Sequence, residues 1–388
     1  MRKIQDADLK DQKVLVRVDF NVPMTKTGEI EGDKRIRETL PTINYILEHG
    51  AKEIILMTHL GKPEGKFDAS LSLWPIANRL AELLKIDIKF TKPQDEYKLN
   101  DRITLLENLR FDKGEEENAP GFANNLANKG SLYINDAFGT CHRGHASTEA
   151  VAKVLPAYAG LLVQREVEEL QKLMATQEKP FTLILGGAKI ADKLPTIKNL
   201  MSRADNFLIG GAIANTFLAA RRHNMGKSLV EEDAFREANI IWQNLMDDSH
   251  KKLYLPKDLL LSLSSDKADG VEEVKISQLL NNAYEDYAAL DIGPATIEEY
   301  RSVIKESQTI FWNGNMGLSD IKEFANGTYD IAQAIYESGA KAVIGGGDTV
   351  AAVESLNLQS DKVFLSTGGG ATLEFLAGKQ LPGLKVLE

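Results

Sequence analysis

The sequence predicts an α/β protein of two lobes, each a Rossmann-like parallel sheet flanked by helices, joined by a linking helix. Short apolar, β-branched runs recur along the chain, and most are separated by segments with helical period. Such alternation indicates parallel sheets covered on both faces. The length of 388 residues suggests two cores at roughly 150 residues per domain.

In order, the strand-like runs are KVLVRV (13–18), EIILMT (53–58), ITLL (103–106), SLYIN (131–135), TLIL (182–185), NFLIG (206–210), TIFW (309–312), AVIG (342–345) and KVFL (362–365). Between the first two, Ile36, Leu40, Ile43 and Leu47 recur at helical spacing and would line one face, ending before Gly50. From about Ala159 to Lys179, GLLVQREVEELQKLM is amphipathic and meets the stop signal Glu178-Lys179-Pro180. It reads as the linking helix, although a crossover helix within one sheet would look the same. The expected domains are 1–160 and 161–380, the second including that helix.

Hydrophobic residues make up 43% and charged residues 26%, which argues against extensive disorder. The N-terminus is charged where a secretory signal needs an apolar core, and no apolar run of membrane-spanning length occurs. A lone cysteine, Cys141, can neither close a disulfide within the chain nor form a thiolate metal site. A cytoplasmic protein is expected. A net charge of −10 disfavours nucleic acid and anionic membranes, so an anionic substrate would need locally gathered cations.

Those cations are unevenly placed. In the first half the strand ends lead into Arg17, Asp19, His59, Arg110, His142 and Arg143; in the second they lead into Gly186-Gly187, Gly210-Gly211, Gly314, Gly345-Gly346-Gly347 and Gly368-Gly369-Gly370. Ligands of open parallel sheets sit beyond the carboxyl ends of strands, so both sets lie where ligands bind. One half suits a small anion and the other a nucleotide.

In GGAKIADK (186–193) the glycines would let backbone N–H groups approach a phosphate at a helix start, with Lys189 and Lys193 on one helical face. A glycine turn with two solvated lysines fits this motif equally well. In GGGDT (345–349) Asp348 could hold Mg²⁺ or simply cap a helix. STGGGAT (366–372) offers amides that could stabilise a moving phosphoryl group. Neither a Walker A pattern nor a complete G-x-G-x-x-G occurs. HLGKP (59–63), Arg110 and Arg143 could surround a phosphate or carboxylate, though each singly also fits a surface charge or a core-edge hydrogen bond. His142 and His145 lack accompanying metal ligands, which disfavours zinc, and Glu115 to Glu117 read as a solvated face.

RVDFNVP (17–23), HLGKP, ENLRF (107–111), DAFGTCHRGHAST (136–148), GGAKIADK, DIGP (291–294), FWNGNMG (311–317), GGGDT and STGGGATLEFLAGKQLPG (366–383) occur in this order. Together they resemble phosphoglycerate kinase, over Arg17 to Gly383. The resemblance implies reversible, Mg²⁺-dependent transfer of a phosphoryl group between 1,3-bisphosphoglycerate and ADP, by a monomer whose lobes close about a hinge. It assigns phosphoglycerate to Asp19, Phe20, Asn21, Arg35, His59, Leu60, Gly61, Lys62, Arg110 and Arg143 in the N-terminal lobe. It assigns the nucleotide to Gly187, Lys189, Lys193, Ala289, Asn313, Asp320, Gly346, Gly347, Asp348 and Thr349, with Asp348 on the metal. Arg35, Lys189, Gly346 and Gly369 would act on the transferring group, and the tail after Leu381 would return to the first lobe.

Four positions depart from the family pattern. Lys62 replaces an arginine, Asn315 a proline, Asp320 a ribose-binding glutamate, and Ala289 a glycine near the adenine, in the segment NNAYEDYAALDIGP (281–294). Two other readings compete: a nicotinamide-dependent dehydrogenase, disfavoured by the missing fingerprint turn, and a non-catalytic scaffold of the same fold, disfavoured by the intact basic and glycine sets.

Overall fold

A computed structural model describes residues 1–280 and 282–388, so Asn281, at the start of NNAYEDYAALDIGP, lies outside the described residues. The chain divides into two compact units, Met1–Glu168 with Lys379–Glu388, and Glu169–Gly378.

The first unit holds strands β1 (Lys13–Val18), β2 (Glu53–Met57), β3 (Glu96–Lys98), β4 (Ile103–Leu106), β5 (Leu132–Asp136) and β6 (Ala157–Ala159) in the order β3-β4-β2-β1-β5-β6. Only the β3–β4 pair is antiparallel. Val14, Val16 and Val18 of β1 join Ile54, Leu56 and Ile134 in one core with Ile36, Ile43 and Ile46 of the helix Lys34–Glu48. Each such side chain contributes about 1.5–3 kcal/mol on burial, which locks the central strands in place. The helix buries Ile36 and Ile43 fully, and leaves the expected Leu40 and Leu47 partly covered.

The C-terminal tail belongs to this unit. Arg2 N–H donates to the Leu387 carbonyl at 2.6 Å, and Gly383 N–H to that of Cys141 at 2.9 Å. A Cβ on Gly383 would meet Cys141 Cα at 2.9 Å, so only glycine allows this approach.

The second unit holds β7 (Phe181–Leu185), β8 (Asn206–Ile209), β9 (Lys252–Tyr254), β10 (Asp258–Ser262), β11 (Glu272–Lys275), β12 (Ala288–Ile292), β13 (Thr309–Asn313), β14 (Lys341–Gly345) and β15 (Val363–Leu365). Six form a wholly parallel sheet, β15-β14-β13-β7-β8-β9. The other three form an antiparallel sheet, β11-β10-β12, which the parallel pattern did not anticipate. Its outer strand, EEVK, buries only Val274 and keeps its charged residues exposed, as an antiparallel edge can. Because β7, β8, β13 and β14 run parallel, their glycine loops all emerge at one sheet edge.

Candidate functional site

Neighbouring β1 and β2 run in parallel register, with Arg17 opposite Met57, so the residues just beyond them converge. Asp19 Oδ2 accepts from Arg35 Nη1 at 2.6 Å, Arg35 lying in the first turn of the helix Lys34–Glu48. Asp19 Oδ1 lies 4.0 Å from His59 Nδ1 and accepts the Asn21 N–H at 3.3 Å. Asn21 Oδ1 in turn accepts the Gly61 N–H at 3.0 Å, and the Gly61 carbonyl accepts from Arg110 Nη1 at 2.7 Å. Arg110 Nε lies 3.2 Å from Glu116 Oε1. Burial, then the charges of Arg17, Arg110, Arg35 and Arg143, hold His59 well below the usual imidazole range. It is a neutral ring among guanidinium groups.

Seven of the ten residues named for this cluster carry polar side chains, and Gly61 spends both backbone groups on Asn21 and Arg110. Phe20 and Leu60 do not offer their side chains, which are buried in the apolar core. Phe20 N–H goes to Thr58 Oγ1 at 2.8 Å, and both backbone groups of Leu60 pair with the Asn108 amide. Lys62 is exposed.

One expectation fails here. Glu115 is not part of a solvated face but fully buried, accepting the N–H and O–H of Ser147 at 2.9 and 2.6 Å. Nothing in a run of three acids marks which one turns inward. His142 and His145 are taken up by neighbours: His142 Nε2 accepts from Arg143 Nε at 3.2 Å, and His145 lies 3.8 Å from Glu115.

In the second unit a cavity of about 930 Å³ opens at the glycine-rich sheet edge. Its wall includes Gly187, Lys189, Lys193, Ala289, Asn313, Asp320, Gly346, Gly347, Asp348 and Thr349, every residue named for a nucleotide. Gly369 is not among the lining residues, whereas Leu373 from the following helix is.

The glycines divide by cause. Cβ atoms on Gly186, Gly211 and Gly314 would lie 2.1–2.6 Å from neighbouring backbone, so these three exist to let loops touch. Gly347 has nothing within 4 Å of its Cβ position, so no neighbour demands a glycine there. Gly346, at φ +98, caps the helix Gly347–Ser355, whose first turn carries Asp348. Thr349 Oγ1 accepts the Gly314 N–H at 3.1 Å and ties this helix to the β13 loop. Asn313 Nδ2 is buried without a hydrogen-bond partner among the described residues, close to Gly345 and Gly346.

Lys189 and Lys193 do not share a helical face. Residues 186–193 form an irregular loop, and the helix runs only from Leu194 to Leu200, with Pro195 in its first turn. The Ile190 and Ala191 N–H groups go to the Glu231 carboxylate, which sequence reasoning missed. Lys193 folds back until Nζ is 3.2 Å from where a Gly187 Cβ would sit. Burial lowers the Lys193 pKa, while Asp192 and Glu231 act to raise it.

Ala289 lines the cavity, but its N–H already donates to Ser228 Oγ at 2.8 Å and its carbonyl accepts from Asn215 Nδ2 at 3.4 Å. The exposed Asp348 lines the same open cavity as Lys189 and Lys193 and offers one carboxylate from the helix start. That donor set fits Mg²⁺, which takes one or two carboxylates and fills its remaining positions with water and phosphate oxygens.

A family model described as "Phosphoglycerate kinase" matches residues 4–379. The chain belongs to the phosphoglycerate kinase family. It is 47% identical to phosphoglycerate kinase of Dictyoglomus turgidum over 99% of this chain and 98% of that one. Against the Rubrobacter xylanophilus enzyme the identity is 45%, over 100% and 98%. The solved phosphoglycerate kinase of Pyrococcus horikoshii superposes with a TM-score of 0.85 at 30% identity, covering 100% and 98%. That from Coxiella burnetii gives 0.81 at 35%, covering 99% and 98%. Membership makes the chain a phosphotransferase acting on a carboxyl acceptor, a kinase of glycolysis. It speaks against the dehydrogenase and scaffold readings.

Proposed function

We propose that the chain transfers a phosphoryl group reversibly between 1,3-bisphosphoglycerate and ADP, with the phosphoglycerate held by the first-unit cluster and the nucleotide by the second-unit cavity. The observation that carries the nucleotide half is the gathering of Lys189, Lys193, Asp348 and the open Gly346-Gly347 turn on one cavity wall. The other half rests on Asp19 paired with Arg35 beside the neutral His59, on which the charges of Arg110 and Arg143 also act.

The acceptor carboxylate of 3-phosphoglycerate is ionised near neutral pH, so no general base is needed. What remains is alignment and charge neutralisation, which dominate phosphoryl transfer. Arg35 and Lys189 are assigned to the charge on the transferring group, with amides of Gly346 and Gly369 assisting. Of these, Gly369 has the weaker support, since it lies off the cavity wall. Arg110, Arg143, Lys62 and His59 take the far phosphate; Asn21 and Asp19 take the hydroxyl and carboxyl end. Mg²⁺, held by Asp348, would neutralise nucleotide phosphate charge. Asp320 is assigned to the ribose, Asn313 and Thr349 to the phosphates. Direct transfer requires the units to close on both substrates during turnover, which also shields the acyl phosphate from water.

No helix among the described residues is long and apolar enough to cross a membrane. We assign the protein to the cytoplasm as a monomer, which size-exclusion chromatography with light scattering would test. The deciding assay couples ADP formation to 3-phosphoglycerate, ATP and Mg²⁺. Wild-type turnover with a fall in kcat of about 10²–10³ in both Lys189→Ala and Arg35→Ala is expected. Absent turnover at saturating substrates, or variants as fast as wild type, would overturn the assignment.

A further inference from the structure

The hydrogen bonds beneath the first-unit cluster run in one direction. Glu115, fully buried near Arg17 and Arg110, accepts both the N–H and the O–H of Ser147. Ser147 has a single hydroxyl proton, so its Oγ is left as an acceptor. Arg17 Nε–H donates to that oxygen at 2.7 Å. The same fully buried guanidinium donates from Nη1 to the Val18 carbonyl and approaches His59 Nδ1 with Nη2 at 3.1 Å.

Arginine has five donors and no acceptor, so His59 Nδ1 must offer a lone pair. A proton there would face the Arg17 N–H head on. In a neutral imidazole the ring hydrogen then sits on Nε2. The contacts the His59 ring makes to described residues use Nδ1, which leaves Nε2–H for a ligand. The charged groups acting on the ring are Arg17, Arg35, Arg110 and Arg143, with Asp19 the acid at 4.0 Å.

We propose that Arg17, aligned by Ser147 and Glu115, is a positioning residue that fixes His59 as the neutral Nε2–H tautomer, giving the site an uncharged, oriented donor for its anionic substrate. An imidazolium would offer an additional charge but lose the Arg17 bond. The opposite tautomer would have no hydrogen on Nε2 to give. The tautomer follows from the network alone; its kinetic consequence rests on the reading of this cluster as the phosphoglycerate site.

The test uses the full chain labelled with ¹⁵N-histidine and long-range ¹H–¹⁵N correlation spectra, His59 being assigned by its absence in His59→Gln. An acceptor-type Nδ1 and a protonated Nε2, unchanged between about pH 5.5 and about pH 8, are expected for the wild type. In Ser147→Ala, which unloads Arg17 Nε without removing a charge, both nitrogen shifts should move toward an averaged value. The KM for 3-phosphoglycerate should rise about 3–10-fold with kcat nearly kept. A wild-type ring protonated on Nδ1, a ring that titrates in this range, or Ser147→Ala shifts that stay put would each overturn the proposal. Shifts that move while KM holds would keep the tautomer and overturn its role toward substrate. Failure of 3-phosphoglycerate to bind the wild type in calorimetry would instead refute the assignment of the cluster, leaving the spectra to judge Arg17.

Discussion

Glu231 accepts the backbone N–H of Ile190 at 2.5 Å and of Ala191 at 3.3 Å, and so fixes the loop that carries Lys189 and Lys193. Its own N–H is held by Thr216 Oγ1 at 3.1 Å, on the helix Gly211–Ala220 that follows β8. A charge-assisted bond of this kind contributes about 1.5–3 kcal/mol, enough to decide whether the loop is ordered before substrate arrives. Glu231→Ala is expected to lower kcat/KM for ADP about tenfold or more, and Glu231→Gln, which keeps an acceptor, to recover part of it. Equal kinetics in all three proteins would show that the loop needs no anchor.

The same residue sets a pH limit. Burial pushes the Lys193 pKa down, and the carboxylates of Asp192 and Glu231 push it back up. Removing the Glu231 charge therefore lowers the pH at which Lys193 loses its proton, and with it the charge offered to a phosphate. In pH–rate profiles the basic limb of kcat/KM for ADP should move to lower pH in Glu231→Gln. A limb that stays, or moves upward, would detach Lys193 from nucleotide binding.

Gly347 separates fold from function. No protein atom lies within 4 Å of the position its Cβ would take, and its φ is not positive, so Gly347→Ala should leave thermal stability within about 0.5 kcal/mol of wild type. If nucleotide phosphates approach this backbone, the methyl group will meet them instead, and KM for ADP should rise several-fold. Unchanged KM with unchanged stability would mean that the turn faces solvent during turnover.

How far the sequence could be read depended on which physical signal each part leaves. Strands β7 and β13 are buried on both faces and appear as mainly apolar runs, and β1 does so around the buried Arg17. Lys252–Tyr254 and Glu96–Lys98 are three residues long and mixed in polarity, so neither stands out from a loop. The spacing of Lys189 and Lys193 suggested a helical face because the turn at Gly186-Gly187 was expected to open a helix at once; tertiary capture of the loop amides by Glu231 delays it to Leu194. Most of the charged candidate residues were legible because parallel strands must deliver them to one edge. Glu115 and Ser147 were not, because a buried polar network is a property of packing, with no periodicity of its own.

Gly61 is held at φ +62, and a Cβ there would fall 2.7 Å from Leu71 Cδ2. Its N–H and carbonyl bind Asn21 and Arg110, so the backbone cannot rotate away without releasing both. Gly61→Ala is expected to cost about 1–3 kcal/mol of stability and to raise KM for 3-phosphoglycerate well above that for ADP. Equal changes in the two constants, measured on folded variant, would argue that the strain does not act through Asn21 and Arg110.

Asp136, at the end of β5, is fully buried, and that burial raises its pKa from 3.8 to about 7 although Oδ1 accepts the Leu162 N–H at 2.9 Å. The folded state therefore keeps a proton that the unfolded chain gives up near its ordinary carboxyl pKa. Stability from this group is fully present below that value, falls as pH rises toward about 7, and then levels off. The whole shift corresponds to about 4 kcal/mol, of which about 3 kcal/mol falls between about pH 5 and about pH 8. Asp136→Asn has no proton to lose and can still accept from Leu162, so its stability relative to wild type should improve by that amount across the window. Amide hydrogen exchange in β1, corrected for intrinsic rates, reads the first unit alone and would show it. A difference between the two proteins that is the same at both ends of the window would mean that Asp136 is ionised throughout, and that its buried Oδ2, unpartnered among the described residues, carries charge after all.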